Sequence, residues 1–105
     1  MSTSSEYTRL LRTVAVTGPG VAFNMYGVFG TFTFMKRITG VFSALVVNYE
    51  GSLDGVNWFT LGTDSTTADG VTFVVDKPCK HVRANVGTFT GGTDVSVEMV
   101  QLPLS

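Results

Sequence analysis

Turn-forming residues interrupt this sequence at short, regular intervals, and this spacing constrains the fold more than any other feature. Glycine, proline or an Asp-Gly pair recurs about every 8 to 12 residues, which leaves little space for helices. The interruptions include Gly18-Pro19-Gly20, Asp54-Gly55, Pro78 and Gly91-Gly92. Between them lie short runs rich in valine, threonine and aromatic residues, which favour strands.

The runs between the turns predict about eight short strands. We place them at 8–17, 21–26, 29–36, 41–50, 57–61, 71–76, 81–88 and 94–102. Eight strands without crossover helices predict an all-β fold, an antiparallel β-sandwich or jelly roll. We assign residues 1–6 to a flexible N-terminal arm and residues 7–105 to a single domain.

Side-chain alternation gives the expected faces of individual strands. The run 8–17 alternates Leu10, Arg12, Val14 and Val16 with Arg9, Leu11, Thr13 and Ala15, and both faces of 41–50 are expected to be largely buried. In 81–88 we expect Val82, Ala84 and Val86 to point inward. Asp54-Gly55 predicts a type I′ hairpin turn, and Gly27 and Gly30 predict a bulge or bend.

Charge is sparse and balanced, which indicates protein partners. Charged residues make up 14% of the chain and its net charge is −1, against about 25% charged in an average domain. The basic residues are scattered, and Lys36-Arg37 is expected at a solvated strand end, so nucleic acid is not an expected partner. We find no apolar run long enough to span a bilayer and no secretory signal, and expect synthesis in a cytoplasm.

The inventory of reactive side chains predicts that the chain is not an enzyme. Its one histidine, His81, lies two residues from its one cysteine, Cys79, and a strand would place both on the same face. No nucleophile elbow or paired acid accompanies them, so we predict no catalytic residue. A zinc site needs three or four ligands of these types, and we predict no metal and no cofactor.

Three aspartates, Asp54, Asp64 and Asp69, lie in predicted turns and could in principle supply calcium ligands. They lack the alternating spacing of a dedicated calcium loop. We interpret them as turn-forming residues.

The aromatic residues keep a binding role open. Half of the twelve fall within 20 positions; they are Phe23, Tyr26, Phe29, Phe32, Phe34 and Phe42. They either fill the core or form an interface patch, because aromatic side chains dominate both settings. Trp58 and Phe59 are adjacent, so one faces away from the other.

Two strings of sequence carry a resemblance to a known group of proteins. One is Gly51-Ser-Leu-Asp-Gly-Val-Asn-Trp-Phe-Thr-Leu61, and the other joins Val82-Arg-Ala84 with Gly91-Gly-Thr-Asp-Val-Ser-Val97. Together they resemble small β-sandwich virion proteins of tailed bacteriophages over roughly residues 28 to 102. The Ser-x-Asp-Gly-x-x-Trp hairpin is also similar to discoidin and related carbohydrate-binding sandwiches.

The resemblance implies a non-enzymatic capsid decoration or cement protein on the virion surface. Its implied partners are the major capsid protein and copies of itself, as a homotrimer, with no nucleic acid and no membrane. The expected partner-binding residues are Ser2, Thr3, Ser4 and Ser5 of the arm, together with Phe23, Tyr26, Phe29 and Trp58.

Two alternatives remain open from the sequence. A carbohydrate-binding module would stack Trp58 or Tyr26 on a sugar ring. A tail or baseplate component would use the same kind of sandwich as a capsid protein.

Overall fold

The computed structural model describes residues 8–103. They form eight strands and no helix, so within this range no helix could cross a membrane. The strands are β1 (Thr8–Val14), β2 (Gly18–Pro19), β3 (Phe23–Thr39), β4 (Phe42–Ser52), β5 (Trp58–Asp64), β6 (Gly70–Val74), β7 (Cys79–Gly91) and β8 (Asp94–Pro103). All their pairings are antiparallel, which confirms the all-β sandwich. The predicted arm, residues 1–6, lies outside the described residues.

The strands form two layers. The first layer has the order β1-β8-β3-β6, and the second has β7 at its centre, flanked by β4 and β5 on one side. On the other side of β7 lie β2 and the beginning of β3. The rings of Phe34 in β3 and Tyr49 in β4 stack with centroids 4.2 Å apart, although these segments share no backbone ladder. The two layers therefore pack face to face.

Strand β3 belongs to both layers. Phe23 and Asn24 pair with β7 in the second layer, whereas residues 31–39 pair with β8 in the first. The register shifts between Asn24 and Phe29, where Tyr26 and Gly27 have positive φ angles. The predicted bend is confirmed, but the two strands expected here are one continuous strand.

The core lies between the layers and is built from the inward faces of β3, β4, β7 and β8. Its fully buried apolar side chains include Phe32, Phe34, Leu45, Val47, Tyr49, Val82, Ala84, Val95, Val97 and Met99. The inward positions predicted for β7 are confirmed.

A buried ion pair crosses the core and overturns one expectation. Lys36 is fully buried, and its Nζ donates to Asp64 Oδ1 at 2.9 Å and to the Thr66 carbonyl oxygen at 2.6 Å. The prediction that Lys36 lies at a solvated strand end is wrong. The ammonium group lies inside because Asp64 and Thr66 supply the acceptors that water would otherwise supply.

The alternation predicted for residues 8–17, which placed Leu10 and Leu11 on opposite faces, is also wrong. Leu10 and Leu11 are both buried, because a bulge shifts the register of β1 against β8 between Arg9 and Leu11. The strand ends at Val14. Thr13 has a φ of 46°, and its N–H donates to Ser96 Oγ at 2.9 Å.

Strand β4 buries one face fully and the other in part, where both faces were expected to be largely buried. Leu45, Val47 and Tyr49 are buried, but Val41 just before the strand is 89% exposed. The outward residues Val46 and Asn48 are half-buried. Phe42 is buried because it packs edge-on against Phe89.

Candidate functional site

Two chain segments meet at one end of the sandwich, and we call residues 24–28 and 53–57 the tip. His81 in β7 places them side by side, because it pairs with Asn24 on one side and with Ser52 on the other. A Cβ atom added to Gly55 would lie 3.6 Å from His81 Nε2. The bend in β3 and the β4–β5 hairpin loop therefore flank the start of β7.

The tip carries exposed apolar side chains. Tyr26 is 93% exposed, Val56 75%, Leu53 61% and Val28 44%. Turns more often carry polar residues, because their backbone faces water. The tip therefore presents an apolar surface that the core does not use.

Tyr26 is held in a strained backbone conformation. Its φ is 49°, in the left-handed region that bulky side chains avoid. The Asn24 side chain helps to fix it, since Asn24 Oδ1 accepts a hydrogen bond from the Tyr26 N–H at 3.1 Å. Such strain costs of order 1–3 kcal/mol and concentrates at functional sites. Here the strained residue is also the most exposed aromatic side chain of residues 8–103.

Asp54 organises the hairpin loop. Its Oδ1 accepts hydrogen bonds from the backbone N–H groups of Val56 and Asn57, both at 2.8 Å, and Oδ2 accepts one from Asn57 Nδ2. Ser52 Oγ completes the network by accepting the N–H of Gly55 at 2.8 Å. These hydrogen bonds lower the pKa of Asp54 well below its usual range. The loop presents Leu53 and Val56 in a fixed arrangement.

This network replaces the type I′ turn predicted for Asp54-Gly55. A type I′ turn needs positive φ at both central residues, and of the two only Gly55 has one, at 79°. The loop is longer, because the Asp54 side chain makes hydrogen bonds that a two-residue turn would make through its backbone.

The other predicted binding aromatics flank the tip in sequence but are less exposed than Tyr26. Phe23 and Phe29 are half-buried and pack against the core. Trp58 is half-buried on the outer face of the second layer, where the Arg83 guanidinium covers its ring at 4.2 Å from the centroid. Ser2, Thr3, Ser4 and Ser5 lie outside the described residues.

Arg83 and Trp58 belong to a polar row on that outer face. Arg83 Nε donates to Glu50 Oε1 at 2.7 Å, and Asn85 Nδ2 donates to Glu50 Oε2 at 3.3 Å. Further along, Thr63 Oγ1 donates to Asn48 Oδ1 at 2.9 Å. The row satisfies its own hydrogen bonds and closes one face of the indole.

Cys79 and His81 do not share a face, contrary to the expectation from their spacing. Cys79 is fully buried, and burial raises the pKa of its thiol to about 11. His81 is half-exposed beside Gly55. The register shift of β3 against β7 next to Cys79 accompanies this break in alternation.

Each of the three aspartates considered as calcium ligands has its own partners within the fold. Asp64 pairs with Lys36, Asp54 organises the hairpin loop, and Asp69 Oδ1 accepts the Ile38 N–H at 2.8 Å. Within residues 8–103 no group of three potential metal ligands comes together.

Sequence reasoning singled out Tyr26 but missed Leu53 and Val56. The signal was present, because a leucine and a valine flank Asp54-Gly55 in a turn where polar residues are usual.

Comparison with known proteins finds similarity at the level of fold. No protein-family model and no curated protein sequence matches the chain. The crystal structure of SPBc2 prophage-derived protein YomS is similar at a TM-score of 0.59 and 15% identity, over 91% of this chain and 92% of that one. The C-terminal domain of a chitobiase from Bacteroides fragilis is similar at a TM-score of 0.56 and 18% identity, over 83% of this chain.

The chain spans 66% of the length of that chitobiase domain. At these identities the likenesses establish a shared small β-sandwich fold. The virion role implied by the sequence resemblance stays a prediction.

Proposed function

We propose that this chain is a non-enzymatic structural protein of a virion, which decorates the capsid and binds the major capsid protein through the tip. The exposed, strained Tyr26 carries the proposal. A bulky residue with a φ of 49° and 93% exposure contributes nothing to the core that would offset its strain. Binding a partner would bury that ring and repay the cost.

The chemistry of the tip favours a protein partner. Tyrosine provides a large, rigid contact area at low conformational cost, and Leu53 and Val56 add apolar area beside it. The tip contains one charged residue, Asp54, whose carboxylate is already occupied by hydrogen bonds within the loop. Sparse charge at the centre of a contact is typical of protein interfaces.

The capsid assignment has two supports. The hairpin string Gly51 to Trp58 resembles virion sandwiches of tailed bacteriophages, and the fold is similar to that of a prophage-derived protein. A decoration protein in many copies stabilises the lattice by summing small contacts across subunit joints. We place this chain on the capsid surface, made in the host cytoplasm, with no catalytic residue and no cofactor.

Purified virions test the role. Particles stripped of this protein should release DNA at a lower temperature than intact particles, and adding the protein back should restore the release temperature. The Tyr26→Ala variant should fail to bind stripped particles. The Val41→Ala variant should bind as wild type, because Val41 is exposed at the opposite end of β4 from the tip.

An unchanged release temperature after stripping would argue against a stabilising role. Normal binding by Tyr26→Ala would argue against the tip as the capsid-binding site. Mass spectrometry of separated heads and tails decides between the capsid and a tail or baseplate location.

The exposed Tyr26 ring also favours a second candidate, a carbohydrate-binding module. Of the two aromatic residues suggested for sugar stacking, Tyr26 is open, whereas one face of Trp58 is covered by Arg83. A glycan array with wild type and Tyr26→Ala tests this candidate. Tyr26-dependent binding to a defined glycan would favour it over the capsid role.

A further inference from the structure

A cleft of about 350 Å³ opens on the outer face of the first layer, beside β1, β8 and the end of β3. Three arginine side chains line it: Arg9 and Arg12 from β1, and Arg37 from β3. The chain has only seven lysine and arginine residues, so this cleft collects a large share of its positive charge. Its volume is within the usual range of ligand sites, roughly 300–1,000 Å³. We call this feature the arginine cleft.

Glu98 holds two of the three guanidinium groups in place. Its Oε2 accepts hydrogen bonds from Arg37 Nη2 at 2.7 Å and from Arg9 Nη2 at 3.3 Å, and only 8% of its side chain is exposed. Because a buried carboxylate is strongly destabilising without a cation beside it, Glu98 anchors both arginines at the wall of the cleft. One negative charge here faces two positive charges.

Hydrogen-bond donors in the cleft remain available to a ligand. The Arg12 side chain is exposed and forms no ion pair within residues 8–103. Arg37 uses one of its five N–H donors on Glu98, and 52% of its side chain is exposed. Ser96 Oγ accepts the Thr13 N–H, which leaves the hydroxyl proton of Ser96 to donate. Guanidinium and hydroxyl donors of this kind bind oxyanions.

Two aspartates limit the charge that the cleft can accept. Asp69 and Asp94 also line it, and with Glu98 they balance the formal charge of the three arginines. The cost of removing an ion from water rises with the square of its charge, whereas its attraction to the arginines rises only in proportion. A cleft with little net charge therefore favours a singly charged carboxylate over a doubly charged phosphate.

From these contacts we propose that the arginine cleft binds a carboxylate group on an acidic side chain of a protein partner, held by Arg12 and Arg37. The planar fork of a guanidinium group matches a carboxylate and can donate two parallel hydrogen bonds to it. Exposed ion pairs contribute little each, so a free small acid would bind weakly. A side chain on a partner protein is kept at the cleft by the partner's other contacts.

The arginine cleft is separate from the tip. The tip includes residues 24–28 near the beginning of β3, whereas the cleft is lined by residues 37–39 at the end of that strand. The carboxylate site therefore does not depend on the capsid assignment. A failure of Tyr26→Ala to change capsid binding would leave it unaffected.

NMR titration of isotope-labelled protein at constant ionic strength tests the proposal. The probe is the peptide acetyl-Gly-Glu-Gly-amide, and its uncharged control is acetyl-Gly-Gln-Gly-amide. We expect saturable shifts of the Arg12, Thr13 and Ser96 amides with the glutamate peptide only, at a dissociation constant of order 10 mM. Acetate supplies a free carboxylate and sulfate a doubly charged oxyanion, and both should bind more weakly than the glutamate peptide.

Variants of the cleft test the residues. Arg12→Gln should raise the dissociation constant of the glutamate peptide about fivefold, since it removes one ion pair. Arg12→Lys keeps the charge without the fork, so its constant should lie between those of wild type and Arg12→Gln. Lys80→Gln is the matched control, because it removes the same charge from an exposed position outside the cleft, and it should bind as wild type.

An aspartate variant tests the charge balance. Asp94→Asn removes a competing negative charge and should tighten binding of the glutamate peptide. Asp76→Asn, at an exposed aspartate outside the cleft, should not. Thermal unfolding checks that each variant keeps the fold.

Three results would overturn the proposal. Equal shifts with the glutamine peptide, or an unchanged dissociation constant in Arg12→Gln, would show that the arginines do not bind the carboxylate. Tighter binding of sulfate than of the glutamate peptide would contradict the assignment of a singly charged ligand. Acetate that binds as tightly as the peptide would contradict the assignment to a protein side chain.

Discussion

Lys36 and Asp64 form an ion pair across the interior of the sandwich, with 2.9 Å between Nζ and Oδ1 and both side chains at most 5% exposed. Burial acts to raise the pKa of Asp64, but hydrogen bonds from Lys36 and Thr66 outweigh it and lower the pKa below the ordinary value of 3.8. The pair links β3 to the end of β5, 28 residues later in the chain.

This pair predicts a loss of stability in acid. Because the folded pKa of Asp64 is lowered, its contribution is present above the unfolded pKa of 3.8 and disappears as the pH falls through the folded value. Urea unfolding at pH 7 and pH 3 should show the loss. A Lys36→Met/Asp64→Leu variant should lose less stability between pH 7 and pH 3 than wild type does. Some acid loss should remain, because the pKa of Asp54 is also lowered.

Breaking the pair on one side should cost more than removing it. Asp64→Asn leaves the buried Lys36 ammonium without its counter-charge and should lower the free energy of unfolding by about 3–5 kcal/mol at pH 7. The Lys36→Met/Asp64→Leu variant should be about as stable as wild type, since apolar residues of similar volume often replace a buried pair. Equal losses in both variants would contradict this view of the pair.

Gly51 should not tolerate a side chain. A Cβ atom there would lie 2.8 Å from Cys79 Sγ, closer than real Cβ atoms come, and 3.1 Å from Leu61 Cδ2, which is tighter than most real contacts. Gly51→Ala should lower the free energy of unfolding by about 1–3 kcal/mol through overpacking. Adding Cys79→Ala removes the sulfur, so the double variant should be more stable than the sum of the two single losses.

Gly87→Ala is the control for this cycle. Its nearest contact would be Asn48 Nδ2 at 3.2 Å, at the end of a flexible side chain, so denaturant unfolding should detect little change. A loss as large as that of Gly51→Ala would show that overpacking is not the cause.

The hydroxyl of Tyr49 should be dispensable. It is buried, and Thr72 approaches it without reaching hydrogen-bond geometry, so it has no partner among residues 8–103. Burial, together with the nearby Asp64 charge, also raises the pKa of Tyr49. Tyr49→Phe keeps the stack on Phe34 and should raise stability by roughly 1 kcal/mol, because an unsatisfied buried group is removed. A marked loss in calorimetry would reveal a hydrogen bond at this hydroxyl.

The Asp54 side chain should hold the tip in shape. Asp54→Ala removes the acceptor for the Val56 and Asn57 N–H groups and should lower the melting temperature. Asp54→Asn keeps an acceptor oxygen, so its melting temperature should lie between those of wild type and Asp54→Ala. Amide hydrogen exchange at Val56 and Asn57 should speed up in Asp54→Ala while exchange in β8 stays unchanged.

Local alternation predicted the strands whose neighbours are regular. In β8, Val95, Val97 and Met99 are fully buried, as their spacing indicates. The inward residues of β7 were predicted from the same alternation. In β1, a single bulge buries Leu10 and Leu11 together. A bulge depends on the partner strand, and the sequence of β1 alone does not contain it.

The error at Lys36 and the different exposure of Tyr26 and Phe34 have a common physical reason. Lys36 lies inside because of Asp64, and a contact 28 residues away is not visible in a local pattern. Tyr26 and Phe34 are both aromatic residues in one run, yet one is 93% exposed and the other fully buried. The sequence shows that aromatic residues concentrate between Phe23 and Phe42, but only the fold shows which of them are exposed and which are buried.

The passage of β3 through both layers has a mechanical consequence. Tyr26 lies where this strand turns from one layer to the other. The backbone before it pairs with β7, and the backbone after it pairs with β8. A force applied to the Tyr26 ring would therefore act on the hydrogen bonds to both β7 and β8, and not on those of a single edge strand. Extracting this strand by its bend would therefore require two ladders to break, one in each layer.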